Sequence, residues 1–307
     1  MKVIYGIGHL KLNKNSCVSV GVFDSLHRGH QSIIKSVVSI AKKKKNLSVI
    51  LTFSPHPDSV VKSKKKSPLL ISLKHRINLI RNLGVDVCVV VKFNDAFRKL
   101  KAKEFISEIL IKKCNIKDLV VSRNFIFGSD RIGNSLLLKR IAKNYNFKVH
   151  FLSDLKINNK IISSTLIRSL IKNGKLQTAS KLLGRKVEVM GTVVGGDSRG
   201  RKLGFPTANI DPHHEVIPPK GVYIIEARLS NKRLFGLANI GFRPTFKNED
   251  REIIEIHLLN FTKNIYSKEL RVVFIKKLRK EKKFKQKAHL LHQINKDIRQ
   301  AKAYLSI

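Results

Sequence analysis

The chain has 307 residues, of which 42% are hydrophobic, and it carries 62 Lys and Arg against 21 Asp and Glu, a formal net charge of +41. A single hydrophobic core stops growing at roughly 250 to 300 residues, so the length predicts two domains. No apolar run approaches the roughly 20 residues that span a bilayer, and the N-terminus lacks an apolar signal segment, so we expect a cytoplasmic protein without membrane segments.

The first half of the chain alternates short apolar runs with helical patterns. Strands are predicted at 16–23, 46–53, 85–93, 118–122 and 148–152, and helices at 30–43, 72–84, 102–114 and 135–146. The run "VDVCVVVKF" is continuous and β-branched, as in a central parallel strand. Alternation of this kind predicts a parallel sheet covered by helices on both faces.

The second half has a different pattern. Two short helices, at 164–174 and 177–184, end the alternation, and strands follow at 186–194, 221–229, 234–241, 252–261 and 269–278 before a last helix at 283–305. Several strands without intervening helices predict a small antiparallel β-barrel. We therefore predict an α/β domain over residues 1–184 and a barrel domain with a C-terminal helix over residues 185–307.

The stretch "GVFDSLHRGHQ" leads from the first predicted strand into the first predicted helix. Ligands of open parallel sheets bind beyond the carboxyl ends of the strands, and a helix N-terminus offers free N–H groups to a phosphate. His27 and His30 can donate further hydrogen bonds to it. A metal site is the weaker interpretation because further ligands are missing nearby, and a merely polar loop is the other alternative. The residues assigned to this site are Gly21, Phe23, Asp24, His27, Gly29 and His30.

This stretch resembles the HxGH nucleotidyltransferase superfamily. The later motifs "TFSPHP", "FGSDRIG" and "ISSTLIR" narrow the resemblance to the bacterial bifunctional riboflavin kinase/FAD synthetase, and the match continues to the terminal helix. The resemblance implies a Rossmann-like nucleotidyltransferase domain that transfers AMP from ATP to FMN and releases pyrophosphate. The FMN phosphate is then the nucleophile, so positioning and charge stabilisation supply most of the catalysis.

The same resemblance implies roles for single residues. His27 and His30 would contact the ATP phosphates and stabilise the pentavalent transition state. Phosphate oxygens would be held from the opposite side by the "SSTLIR" motif. The further ATP- and phosphate-binding residues that it implies are Asn124, Arg131, Ser164, Thr165 and Arg168.

A second glycine-dense stretch, "GTVVGGDSRGRKLGFPTANI", starts at Gly191. On a strand, Thr207 and Asn209 face the same side, so that a hydroxyl and an amide converge. Such neutral oxygen donors suit Mg²⁺ that is already bound to ATP, and the glycines would let backbone amides approach phosphates. From the residues alone, a flexible hairpin with a buried Thr-x-Asn turn is an equal alternative.

The segment resembles the riboflavin kinase signature in "GRKLGFPTAN" and in the later "ANIGFRPTF". The resemblance implies that Glu255, in "EIIEIHLLNF", is the catalytic base that accepts the proton of the ribityl 5′-hydroxyl as this hydroxyl attacks the γ-phosphate of ATP. Glu252 lies on the opposite strand face and does not match the motif. The implied Mg²⁺ ligands are Thr207 and Asn209, and the implied ATP-binding residues are Gly191, Gly196, Gly200, Arg201, Gly204 and Pro206.

Three departures from the family pattern lie in the implied sites. Ser25 stands where the family usually has Gly, and "SRNF" at 122–125 replaces a Gly-x-Asp/Asn-Phe motif, although Asn124 still fits its polar position. The pair at Gly195 and Gly196 replaces a common His-Gly. The first two departures lie in the adenylyltransferase half, which leaves a chain with riboflavin kinase activity alone as an alternative.

We expect an enzyme that phosphorylates riboflavin to FMN and adenylylates FMN to FAD, with ATP as co-substrate and Mg²⁺ in both steps. Its expected partners are these small molecules. A basic nucleic-acid-binding protein on an enzyme-derived scaffold is the alternative from another class. The excess lysine is spread over the chain without an aromatic-interleaved motif, so we expect weak, salt-sensitive polyanion binding rather than specific recognition of nucleic acid.

The three cysteines, Cys17, Cys88 and Cys114, form no CxxC pair and are odd in number. This argues against a disulfide framework and against a cysteine zinc site. We predict that they are small buried hydrophobic residues in a reducing compartment.

Overall fold

The computed structural model describes residues 1–60, 68–129, 131–157, 160–195, 203–243 and 251–307. The chain forms two compact units, one of Met1–Ser67 with Leu73–Ser164 and one of Pro68–Ser72 with Thr165–Ile307. Within the described ranges, none of the helices has both the length and the apolar character needed to cross a bilayer.

The first unit is a parallel sheet with flanking helices. Its strands are β1 (Lys2–Tyr5), β2 (Ser16–Val20), β3 (Leu47–Ser54), β4 (Val87–Lys92), β5 (Ile116–Ser122) and β6 (Lys148–Leu152), with a short antiparallel pair β7 (Lys156–Ile157) and β8 (Lys160–Ile161). Its helices are α1 (Arg28–Lys44), α2 (Pro57–Val60), α3 (Leu73–Arg81), α4 (Asp95–Arg98), α5 (Ala102–Glu104), which continues as a π-helix over Phe105–Ile111, and α6 (Ser135–Asn144). The strand order is β1-β4-β3-β2-β5-β6, and neighbouring strands run parallel.

Alternate residues of the central strands explain why helices cover both faces of this sheet. Val18, Val49 and Val89 are buried in one apolar cluster, together with residues of the π-helix and of α6. Helix α1 contacts β2, β3 and β5 and buries a stripe of residues spaced three and four apart. Strand β4 is buried on both faces from Val87 to Val91 and is apolar over this whole run, as the sequence pattern predicts.

The strand order places a crevice at a defined point of the sheet. From β2 the chain proceeds to β3 and β4 on one side, and β5 and β6 lie on the other side. Ligands of open α/β sheets bind at such a reversal, beyond the carboxyl ends of the two strands. Here these ends are Val20 and Ser122. The stretches "GVFDSLHRGHQ" and "RNF" follow them directly.

The second unit is a closed antiparallel barrel preceded by two helices and followed by one. The helices are α7 (Ser164–Lys172), α8 (Leu176–Leu183) and α9 (Lys287–Leu305), and the strands are β9 (Glu188–Val194), β10 (Ala208–Asp211), β11 (Gly221–Leu229), β12 (Lys232–Arg243), β13 (Arg251–Leu258) and β14 (Glu269–Arg279). The barrel closes in the order β10-β13-β12-β11-β14-β9. Helix α9 packs Ala301 against Val222 and Leu237, and Arg279 holds the buried Asp297 of this helix with Nη2 at 2.8 Å from Oδ2.

The parallel sheet and the closed barrel with its terminal helix confirm the predicted fold class. Strand β1 was not predicted, because this four-residue edge strand is partly exposed throughout and carries no buried apolar run. The predicted helix at 102–114 is largely a π-helix, with Lys112 N–H bonded to Ser107 O and Cys114 N–H bonded to Ile109 O. The cysteines are buried and unpaired, as predicted, and burial raises the pKa of Cys17 to about 12.

Candidate active sites

The loop after β2 begins with a turn that only a small residue permits. Strand β2 ends at Val20, before the predicted end at Phe23, because Phe23 adopts a left-handed conformation with φ of 51°. Its ring folds back over Gly21, where a Cβ atom would lie 2.9 Å from Cζ of that ring. The same ring is buried and makes an edge contact with His30, with ring centroids 5.3 Å apart. The packing of the Phe23 ring over Gly21 therefore determines the conformation of this loop.

The two predicted histidines lie together at the start of α1. His27 is the N-cap, and its Nδ1 accepts a hydrogen bond from the backbone N–H of His30 at 3.2 Å. The two rings stack with centroids 3.8 Å apart and planes 15° from parallel. Gly29 makes room for this arrangement, since a Cβ atom there would lie 3.0 Å from Cε1 of His27. The need for a glycine at position 29 thus comes from the close approach of the His27 ring.

A hydrogen bond fixes the proton position on the His27 ring, and burial decides the charge of His30. A backbone N–H can only donate, so Nδ1 of His27 is unprotonated and the neutral ring carries its proton on Nε2. Nδ1 of His30 is buried and has no hydrogen-bond partner among the residues described. Burial, followed by the charges of His27 and Arg76, lowers the pKa of His30 well below its usual value. His30 is therefore neutral at pH 7, and both histidines can offer an Nε2–H donor to a phosphate.

Ser164 is brought next to this loop. Its Oγ lies 3.0 Å from Oγ of Ser25, a fully buried residue. The departure at position 25 therefore contributes a hydroxyl that contacts the "SSTLIR" motif. Thr165 and Arg168 follow on α7 and belong to the second compact unit. There, Nε of Arg168 donates to the carbonyl oxygen of Pro68 at 3.0 Å.

Asn124 lies just beyond the end of β5, at the point where the strand order of the sheet reverses. Its Nδ2 donates to Oδ2 of Asp154 at 2.6 Å. The amide oxygen Oδ1 can therefore accept a hydrogen bond from another group. Arg131 is exposed and has a left-handed backbone, with φ of 54°. The structure therefore brings Asn124 to the crevice and leaves the guanidinium of Arg131 accessible.

The second candidate site lies where β10 pairs with β13 in the barrel. Oγ1 of Thr207 donates to Oε1 of Glu255 at 2.8 Å, and Asn209 stands directly opposite Glu255 in the strand register. Directly opposed residues of adjacent strands share a face of the sheet. The hydroxyl, the amide and the carboxylate predicted from separate motifs therefore converge. Within the described residues, Oε2 of Glu255 accepts no hydrogen bond.

Two residues near Glu255 were missed by the sequence argument. Asn239 pairs with Glu255 from β12, on the side opposite to Asn209, and belongs to the "ANIGFRPTF" motif that could have indicated it. His257 follows Glu255 by two residues, and its Nδ1 donates to the carbonyl oxygen of Pro206 at 2.9 Å. Its ring also contacts Phe205 edge-on, with centroids 5.8 Å apart. His257 thus fixes the turn that leads to Thr207.

The glycines of this site divide into two groups. Gly191 is buried in β9, and a Cβ atom there would overlap the carbonyl oxygen of Asp211, so its small size is required by strand packing. Gly204 has φ of +82° and is exposed in the turn before Thr207. The predicted phosphate-binding residues Gly196, Gly200 and Arg201 lie outside the described residues.

The donor set at this second site fits Mg²⁺. A hydroxyl and an amide are hard oxygen ligands, and Mg²⁺ takes the remaining ligands from water and phosphate. Among the described residues, no group of three or more His, Cys, Asp or Glu side chains is placed to enclose a metal ion. A hydroxyl and an amide suit an ion that arrives with a nucleotide, because the nucleotide brings the phosphate ligands that complete its coordination.

Comparisons with known proteins agree with the division into two sites. A family model described as FAD synthetase matches residues 9–166, and one described as riboflavin kinase matches residues 183–305. A bifunctional riboflavin kinase/FMN adenylyltransferase of Buchnera aphidicola subsp. Schizaphis graminum is 41% identical over 311 residues, with both chains fully covered. That of Escherichia coli K12 is 34% identical and covers 100% of this chain and 99% of its own. A solved Streptococcus pneumoniae structure, described as a macrolide-efflux protein, has a TM-score of 0.84 at 26% identity and covers 97% of this chain and 98% of its own.

Proposed function

The chain belongs to the bifunctional riboflavin kinase/FMN adenylyltransferase family, and from this membership we propose which reaction each of its two sites catalyses. The barrel unit phosphorylates riboflavin to FMN with ATP, and the parallel-sheet unit adenylylates FMN to FAD with a second ATP. The observation that carries the proposal is that each site gathers the residue types its reaction needs: two neutral imidazoles at a helix N-terminus in one, and a carboxylate beside a hydroxyl and an amide in the other.

In adenylyl transfer, the negative charge that develops around the α-phosphorus of ATP is the feature to be stabilised. His27 and His30 donate from Nε2, and the free N–H groups at the start of α1 add partial positive charge. The FMN phosphate attacks, and pyrophosphate leaves. Asn124 offers its amide oxygen, and the fold of the loop rests on Gly21, Phe23 and Gly29. Further phosphate contacts are proposed for Arg131, Ser164, Thr165 and Arg168, and Asp24 is proposed to bind ATP away from the phosphates.

In the kinase reaction, Glu255 accepts the proton of the ribityl 5′-hydroxyl through Oε2, because Oε1 already accepts from Thr207. The deprotonated oxygen attacks the γ-phosphorus, and ADP leaves. Thr207 and Asn209 would hold Mg²⁺, which neutralises phosphate charge when bound. Gly204 and Pro206 shape the turn before these ligands, with Pro206 fixed by His257. We assign ATP contacts to Gly191, Gly196, Gly200 and Arg201 from the family resemblance.

We also propose a boundary between the two functional domains after residue 184, so that they span 1–184 and 185–307. Gly184 ends α8 in a left-handed conformation, and the riboflavin kinase model begins its match at residue 183. A cytoplasmic location is proposed as well. Three buried, unpaired cysteines suit a reducing compartment.

One assay tests the proposed function. The purified chain is incubated with riboflavin, ATP and Mg²⁺, and the flavins are separated by chromatography. We expect FMN to form first and FAD to follow. Accumulation of FMN without FAD would show a chain with kinase activity alone, and the absence of both products would refute the proposal.

The proposed Mg²⁺ ligands predict the behaviour of Thr207→Val, which removes the hydroxyl at nearly constant volume. The Mg²⁺ concentration for half-maximal FMN formation should rise by about 10-fold or more, because one oxygen ligand is lost. Initial rates are measured over a Mg²⁺ titration, with FAD formation from supplied FMN as the internal control. Thr192→Val is the matched variant, since this barrel threonine bonds to His213 instead. An unchanged Mg²⁺ dependence in Thr207→Val would contradict the assignment.

A further inference from the structure

Arg76 is a buried arginine, and packing alone would not require a charged side chain at this position. It lies on α3 with 2% of its surface exposed, beside the apolar residues Ile77 and Ile80, which are also buried. Removing a guanidinium from water is costly, and an apolar residue of similar size would fill the same space without that cost. A specific use for the charge or for its hydrogen bonds is therefore expected.

The hydrogen bonds of Arg76 lead to the loop that carries the histidines. Nη1 donates to Oγ1 of Thr52 and to the carbonyl oxygen of Phe53, both at 3.0 Å. The Thr52 hydroxyl in turn donates to the carbonyl oxygen of Val22 at 2.9 Å. Helix α3 is thus connected through the end of β3 to the first residues of the loop. A side chain at position 76 that cannot donate would leave the Phe53 carbonyl without this bond.

The charge of Arg76 acts on the same site. The guanidinium attracts the buried carboxylate of Asp24 and disfavours a proton on His30. Burial lowers the pKa of Arg76, but an arginine nevertheless stays protonated at neutral pH. Its Nε is buried and has no hydrogen-bond partner within the described part of the chain. The cation is partly balanced by the Asp24 carboxylate, and its remaining field acts on His30.

We propose that Arg76 is a positioning residue for adenylyl transfer, which holds the loop from Val22 to His27 through Thr52 and supplies a permanent positive charge to the histidine pair. The role rests on the proposed function of this unit. Because Arg76 is almost fully buried, it acts through the loop and through its field rather than by touching ATP. A fixed cation near a centre where negative charge develops is the arrangement that stabilises a phosphoryl transition state.

The charge of Arg76 adds to burial, the main cause, and to His27 in disfavouring a proton on His30. Arg76 on α3 acts on His30 through its permanent charge, His27 in the loop does so when it is protonated, and Asp24 acts on Arg76. In a protonated His30, Nδ1 would carry a proton for which the described part of the chain provides no acceptor. Loss of the Arg76 charge should allow this protonation at a higher pH. Adenylyl transfer would then fail earlier on acidification.

The test compares Arg76→Met, Arg76→Lys and Arg81→Met. The last is the matched control, since Arg81 lies on the same helix but is exposed and bonds to Asn78. FAD formation from FMN is measured from pH 5 to 9, and FMN formation from riboflavin is measured on the same preparations. The second activity reports whether the barrel unit is folded, and circular dichroism with thermal unfolding reports whether the parallel-sheet unit, which contains Arg76, is folded in each variant.

Arg76→Met should lower the rate of FAD formation by about 10- to 100-fold, the scale expected for a displaced catalytic geometry. Its acid limb should shift to higher pH, while FMN formation stays within about 2-fold of that of the unsubstituted chain. Arg76→Lys keeps the charge, so its acid limb should stay in place although part of the rate is lost. Arg81→Met should match the unsubstituted chain in both activities.

Three outcomes would overturn the inference. The first is FAD formation in Arg76→Met at the rate and with the pH profile of the unsubstituted chain. The second is an equal loss of both activities in Arg76→Met and Arg76→Lys, which would reduce Arg76 to a structural role. The third is an unsubstituted chain that makes FMN but no FAD, which would refute the proposed adenylyl transfer and with it this role.

Discussion

Replacement of Glu255 by glutamine should abolish FMN formation from riboflavin while leaving FAD formation from supplied FMN unchanged. General-base assistance is worth on the order of 10² to 10⁴ in rate, which corresponds to roughly 3 to 5 kcal/mol of transition-state stabilisation. The variant should fold, because the glutamine carbonyl can still accept the hydrogen bond that Thr207 donates to Oε1. A loss of FMN formation in this variant can therefore be assigned to the missing proton acceptor rather than to a change in the structure.

The measurement is the initial rate of each reaction on the same purified variant. Glu252→Gln is the matched control, since residue 252 lies on the same strand, β13, and does not match the family motif that contains Glu255. We expect that control to keep both activities. Loss of both activities in folded Glu255→Gln would refute the division of labour between the two sites, and retention of FMN formation would exclude Glu255 as the base.

The double substitution of His27 and His30 by alanine should produce the mirror image of this result. FAD formation should fall by about 10³-fold or more, because one preorganised donor to a developing oxyanion is typically worth 10²- to 10³-fold. FMN formation should continue at an unchanged rate. The two rings are stacked and each offers one Nε2–H, so their separate effects need not be additive.

The capping role of His27 requires its own control. Its Nδ1 caps α1, and loss of an N-cap costs about 1 kcal/mol of stability. His27→Asn keeps a good cap without an imidazole, so a similar loss of FAD formation in this variant would assign the effect to the Nε2–H donor. His9→Ala tests an exposed histidine of the same unit. Full FAD formation by the double alanine variant would refute the assignment of this site.

Much of the fold could be predicted because its signals are local. Runs of β-branched residues alternate with amphipathic stripes in the first half, and strands follow one another without helices in the second. The spacing of His27 and His30 places both at one helix start, and the spacing of Thr207 and Asn209 places both on one strand face. Such relations depend on backbone geometry alone, so a short window of sequence carries them.

The boundaries and the less regular elements were harder to predict. Strand β2 ends early because the Phe23 ring has to lie over Gly21, and the helix at 102–114 adopts π geometry while keeping its apolar residues buried. Edge strand β1 is held by pairing with β4 rather than by its own composition. In each case the packing of a neighbour overrides the local preference.

The sequence by itself determined the two-domain fold class, the family and the residues whose spacing within a few positions brings them together. Only the tertiary structure decided which distant residues join them: Arg76 and Thr52 at the histidine loop, Ser25 against Ser164, and Asn239 and His257 around Glu255. It also decided the proton position on His27. These contacts follow from strand register and from burial. Both depend on the packing of the whole unit, so no periodic pattern of residues in the sequence indicates them.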